Sequence, residues 1–212
     1  METHELIKAL AADTRRSGMP MAIAWSGAAV ASLAVAAIVF LALLGPRPDI
    51  ANALETLRFP FKFVVTIALA ASAFGLLRML SRPETEPRPL LPYLAIAPAL
   101  LAAGVLAELV VSPANAWSAK LVGTNSLVCL TYIPLIGTGP LALLLLALRH
   151  GAPSRPAIAG ALAGLTAGGV AAAFYATHCP DDSPLFVATW YTIAIAFLAL
   201  LGAFGGRCVA RW

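Results

Sequence analysis

Five side chains could do chemistry together if the fold gathered them: Cys129, His178, Cys179, Asp181 and Asp182. Two thiols in an oxidising compartment can close a disulfide. They can also hold a thiophilic metal, with His178, Asp181 or Asp182 completing the shell. Spacing along the chain does not decide between these, because a bridge needs α-carbons within about 7 Å. Both thiols could equally be small buried residues or a simple staple. The three cysteines include no CxxC pair, which argues against a quinone-linked disulfide oxidase. Cys208 stands apart near the C-terminal end and reads as structural.

Catalysis has little to work with. The chain carries no Gly-rich phosphate loop, no HExxH and no nucleophile elbow. His4, His150 and His178 are scattered, so no histidine cluster forms.

The elements that must position the thiols are dictated by composition. The chain is 60% hydrophobic and 11% charged, against roughly 25% charged residues in a soluble domain. Its apolar residues fall into runs of about 20, the length a helix needs to cross about 30 Å of hydrocarbon. Six such runs are expected, over residues 21–44, 59–80, 90–111, 126–148, 156–177 and 185–206. Helices rather than barrel strands follow from runs that are continuous instead of alternating. The first run begins too far in and is too long for a cleavable signal peptide. Proline-rich connectors such as residues 81–89 read as loops rather than hidden domains. The expectation is an all-α integral membrane bundle, residues 21–212, preceded by a tail of residues 1–20.

Lys and Arg set the orientation. With the N-terminus inside, the cytoplasmic segments hold Lys8, Arg15, Arg16, Arg78, Arg82, Arg88, Arg149, Arg155, Arg207 and Arg211. The outer segments hold Arg47, Arg58, Lys62 and Lys120. Ten against four places both ends in the cytoplasm. The net charge of +4 then reflects topology and contact with anionic headgroups, and no direct nucleic-acid partner is expected. On this topology Cys129 and Cys179 lie at similar depth on the outer side, and Cys208 lies on the reducing side.

Packing signals are concentrated late in the chain. Gly160, Gly164 and Gly168 recur every fourth residue, continued by Ala172 and Ala176, and Gly202 and Gly206 repeat the pattern in the last run. Small residues on one face let membrane helices approach closely. Pro134, Gly137 and Pro140 predict a kink or a softened stretch in the fourth run.

The tail is the other informative piece. Thr3 caps a short helix with Glu5 in its first turn. Leu6, Ile7, Leu10 and Ala11 share an apolar face, while Glu5, Lys8 and Asp13 lie on the other. About twelve residues are too few for a stable free helix, so the segment should order only against a partner or a surface. Its acidic residues favour a partner over the lipid surface.

Several of these motifs together resemble the NrsF family of bacterial membrane proteins. They are the tail pattern Leu6-Ile7-x-x-Leu10-Ala11-x-Asp13, Cys129 with Ile133-Pro134, and Leu148-Arg149-His150-Gly151-Ala152-Pro153. Ala159-Gly160 with Gly164-Leu165 and Ala167-Gly168, Cys179-Pro180-Asp181-Asp182-Ser183-Pro184, Trp190-Tyr191 and Gly206-Arg207 complete the likeness. The resemblance implies a negative regulator of an extracytoplasmic-function sigma factor in the bacterial inner membrane. The tail would hold the sigma factor away from RNA polymerase through Leu6, Ile7, Leu10, Ala11 and Asp13. Cys129 and Cys179 would be the outward-facing sensing pair for heavy-metal or oxidative stress. No resident cofactor is implied, only a heavy-metal ion visiting the thiols transiently.

A different class remains open on the residues alone, a small transporter or channel, such as one for a thiophilic metal. Such proteins place ionisable groups inside the membrane. The two candidates, Lys62 and Glu108, lie near the outer ends of their runs, close enough to the interface to snorkel or pair there.

Overall fold

The computed structural model describes residues 3–5, 7–8, 21–82 and 91–209. Six helices are long and apolar enough to cross a membrane. They are α1 (Met21–Leu43), α2 (Arg58–Leu80), α3 (Leu91–Val111), α4 (Ser126–Leu148), α5 (Pro156–Ala176) and α6 (Pro184–Val209). No strand occurs among the described residues.

The boundaries have local causes. Pro156 and Pro184 occupy the first turns of α5 and α6, where a missing N–H costs nothing. Ser183 caps α6 by accepting from the Leu185 N–H at 3.3 Å. Helix α3 is broken at Ala95 into Leu91–Leu94 and Ile96–Val111. Pro98 explains the break, since it has no N–H to offer the Leu94 carbonyl one turn earlier. Helix α4 runs unbroken through Pro134 and Pro140. Helix α6 opens with a π-helical stretch over Val187–Tyr191, which turns the side chains that follow relative to an ideal helix.

Helix α5 is the centre of the bundle. Of its apolar window 61% is buried, against 11% for α3, and it packs on α6, α2 and α4, while α1 lies against α4 and α3 against α2. The reason is side-chain size. A Cβ on Gly160 would strike the Gly202 carbonyl, one on Gly164 the Leu198 carbonyl, and one on Gly206 the Pro156 carbonyl. Gly168 faces Ile195 across the same seam, with 2.9 Å from a Cβ to its Cγ2. Backbone therefore lies against backbone, and many small dispersion contacts replace the few that larger side chains would make.

The connections define two faces. The segments 44–57, 112–125 and 177–183 meet on what is here the thiol face, as the Arg47 N–H to Thr177 carbonyl bond at 3.0 Å indicates. At the opposite face the Ala152 N–H donates to the Ser81 carbonyl at 3.1 Å, and Ser81 also approaches the Met21 sulfur at the root of the tail. In the tail itself Thr3, His4, Glu5, Ile7 and Lys8 are helical and exposed, Ile7 to 57%. Leu6, Leu10, Ala11 and Asp13 lie outside the described residues.

Replacing Gly164 by Val should destabilise the bundle by about 1–3 kcal/mol, the usual cost of overpacking, because the obstacle is a carbonyl and cannot rotate away. Gly27→Ala on α1, where nothing lies within 4 Å, should be neutral or stabilising. Thermal unfolding in detergent measures both; equal effects would remove the seam as the reason for the glycines.

Candidate functional site

The thiol face is built around the loop that joins α5 to α6. Cys179 lies in that loop, and its N–H donates to the Tyr175 carbonyl, 3.1 Å away, extending the last turn of α5. Cys129 sits one turn into α4, its N–H bonded to the Asn125 carbonyl at 2.8 Å. No disulfide joins them, and neither has exposed surface. They are close enough for a charge on Cys179 to act on Cys129. Burial pushes the Cys179 thiol up from its ordinary value, outweighing the nearby Lys62 ammonium that pulls it down. At neutral pH it therefore stays protonated, which slows attack on oxidants and electrophiles.

Three pins hold the loop. In the first, Lys62 of α2 is wholly buried; its Nζ donates to the Cys179 carbonyl at 2.9 Å and pairs with Asp182 at 2.5 Å. Burial of an ammonium is tolerated only with such oxygen partners. In the second, Arg47 bridges Asp49 at 2.6 Å and Asp182 at 3.1 Å, and reaches the Cys179 carbonyl at 3.5 Å. Its guanidinium holds the Asp49 carboxyl down at about 2, so acidification to pH 4 leaves this contact ionised. The third is Asp181, which accepts from the backbone N–H groups of Thr124 and Asn125 at 3.0 and 2.9 Å. Those residues open α4, so Asp181 ties the Cys179 loop to the start of the Cys129 helix. Gly123, at φ +60°, makes the tight turn there, and a Cβ on it would lie 2.9 Å from the Asp181 carboxyl carbon.

His178 is also engaged, its Nδ1 donating to the Gly45 carbonyl at 3.0 Å. The five residues singled out by sequence are thus brought to one face but not into one shell. His178, Asp181 and Asp182 are turned to structural partners, and among the described residues no group of three or more His, Cys, Asp or Glu is placed to hold a metal ion. The groups that do surround the thiols are Tyr175 and Tyr191. Their rings meet edge to face at 5.7 Å. Both are buried, and neither hydroxyl is hydrogen-bonded to an oxygen or nitrogen. Each reaches the Cys179 thiol by its hydroxyl and interacts with Cys129 through charge alone.

Sequence reasoning missed Tyr175, and it singled out Tyr191 only through the family resemblance and not as a neighbour of the thiols. Tyr175 lies one turn before Cys179 and shares its face, a readable signal. Tyr191 depends on the π-helical stretch, which leaves no such signal. Of the two expectations for Lys62, snorkelling or pairing, the structure shows pairing, with Asp182 and the Cys179 carbonyl. Glu108 pairs at its helix end, with Arg58 at 3.0 Å and Lys120 at 2.5 Å, and accepts from Ser112. Gly160, Gly164 and Gly168 serve the seam between α5 and α6, which carries Tyr175 and Tyr191 at its thiol end.

Breaking the buried pair by Lys62→Met should cost about 3–5 kcal/mol, since Asp182 and the Cys179 carbonyl lose their central cation. Lys62→Met combined with Asp182→Asn should recover part of that loss. Chemical denaturation in detergent tests this; a Lys62→Met protein as stable as wild type would show that the pin holds nothing.

The sequence model of the NrsF family, described as negative regulator of sigma F, matches residues 10–212. The chain is 36% identical over 215 residues to the anti-sigma-F factor NrsF of Caulobacter vibrioides, covering 100% of both chains. It is 33% identical over 227 residues to the probable anti-sigma-F factor NrsF of Azospira oryzae, again covering 100% of both. No solved structure matches. With its whole length matched in these ways, the chain belongs to the NrsF family of negative regulators of sigma F.

Proposed function

We propose that this protein is an inner-membrane anti-sigma factor. It holds an extracytoplasmic-function sigma factor through its cytoplasmic amino-terminal helix and releases it when Cys129 and Cys179 react on the periplasmic side. The observation that carries this reading is the full-length match to anti-sigma-F factors. The buried thiol pair inside a pinned loop supports the sensing half.

The chemistry fits a sensor that is quiet at rest. Oxidation would turn two thiols into one disulfide, passing two electrons and two protons to the oxidant. A soft metal ion would instead replace the thiol protons. Either change alters the volume and charge between α4 and the loop that Asp181 fastens to it. The loop must then move, and Lys62 and Asp181 would carry the movement to α2 and α4. A sigma factor bound to the tail needs to feel only a coupling of about 1–3 kcal/mol, or 5- to 150-fold in affinity.

A transporter reading gains nothing from the geometry. Lys62 and Glu108 are the buried ionisable side chains other than the thiols and tyrosines among the described residues, and both are tied to partners at the thiol face.

Co-expression with candidate sigma factors should recover one of them with the full-length protein, and lose it when residues 3–14 are deleted. In cells carrying a reporter for that sigma factor, Cys129→Ser and Cys179→Ser should each abolish induction by heavy metal or oxidant while basal repression persists. Normal induction in either variant would sink the sensing scheme, and failure of every candidate to co-purify would sink the anti-sigma role.

A further inference from the structure

The seam between α1 and α2 contains two cavities stacked along the helix axes, and their linings differ in character. At the tail face lies a cavity of about 300 Å³, lined by Met21, Ala22, Trp25, Arg78, Met79 and Arg82 among others. Further into the membrane lies a cavity of about 440 Å³ with an almost wholly apolar lining, including Leu33, Phe63, Ile67, Ala71, Phe74 and Val170. The two adjoin at the edge-to-face pair of Trp25 and Phe74, whose ring centroids are 5.9 Å apart.

We propose that this seam binds one anionic phospholipid, with its phosphate at Arg78 and Arg82 and an acyl chain in the apolar cavity beyond. Three features point to this occupant. The first is charge: two exposed guanidiniums converge on the mouth of the small cavity, and guanidinium is the side-chain group best matched to phosphate. Arg78 rests on the ring of Phe74 at 5.9 Å and has no carboxylate partner among the described residues. The second is the inner wall. Trp25 is 2% exposed, and its indole N–H has no acceptor, so a positive dipole is left uncompensated beside the cavity. The third is length. From Arg78 to Phe63, the lining residue of this helix farthest from the arginines, is fifteen residues, about 22 Å along a helix, enough to house one extended acyl chain inside the hydrocarbon layer of about 30 Å. A soluble anion would use only the small cavity, and a zwitterionic lipid would bring a quaternary ammonium against the two guanidiniums along with its phosphate.

The position gives the site a consequence. Met21 lines it and is the first residue after the tail. A lipid bound there would sit at the root of the segment proposed to hold the sigma factor, although the binding itself does not depend on that role.

Native mass spectrometry of the full-length protein in detergent, titrated with phosphatidylglycerol or phosphatidylcholine of equal chain length, tests the proposal. Wild type should bind phosphatidylglycerol at least tenfold more tightly, because the choline ammonium of phosphatidylcholine is repelled by the two guanidiniums that hold the phosphate. Arg78→Gln with Arg82→Gln should reduce it to the phosphatidylcholine level. Ala71→Phe, which fills the apolar cavity and keeps both arginines, should weaken both lipids together. Equal binding of the two lipids by wild type, or unchanged preference in the arginine variant, would overturn the proposal. So would displacement of the lipid by inorganic phosphate alone, which would mark a free-anion site.

Discussion

A buried ammonium group costs several kcal/mol unless oxygen atoms replace its water, and the thiol face is organised by meeting that requirement for Lys62. Its partners, the Cys179 carbonyl and the Asp182 carboxylate, belong to the same four-residue stretch. Satisfying the charge therefore fixes the loop. Once that loop is fixed, Asp181 can reach the start of α4, and Cys179 is held at the depth of Cys129. The glycine seam between α5 and α6 supplies the rigid base, because backbone packed on backbone leaves little room for the loop's two stems to separate.

This arrangement sets the terms on which the thiols can react. They are buried and Cys179 stays protonated, so ordinary exposure to mild electrophiles does little. The tyrosine hydroxyls beside them have no oxygen or nitrogen partner and rest on the Cys179 thiol, a weak sulfur contact that any change at the thiol removes. A site with weakly partnered hydroxyls, a protonated thiol and three polar pins is poised between one ordered packing and whatever packing follows the loss of a pin. The π-helical start of α6 lies in the same place, and such stretches are frequent at functional sites.

Much of the architecture was legible in the residues. All six spans fall within about three residues of expectation, because continuous apolar runs bounded by proline, serine and charged residues leave few alternatives in lipid. Gly160 and Gly164 announced the close approach to α6, since their spacing repeats each turn of a helix. The thiol site was legible only in part. His178, Asp181 and Asp182 follow Cys179 so closely that they read as its metal partners. Their real partners, Gly45, Thr124, Asn125, Arg47 and Lys62, are 56 to 135 residues away in sequence, and spacing carries no trace of them. For Lys62, snorkelling and pairing were both open for the same reason, as the acid that pairs with it lies in another loop. Helix α4 stays continuous through its two prolines.

The central claim is that the state of Cys129 and Cys179 at one face sets the hold on a sigma factor at the other. The most direct test is the dissociation constant of the cognate sigma factor for the full-length protein in lipid nanodiscs, before and after the two thiols are bridged. Cys208→Ser would serve as the background, so that only the buried pair can react. The account predicts binding weakened by at least fivefold on bridging and restored by reduction. An unchanged dissociation constant, with the bridge verified by mass, would contradict it.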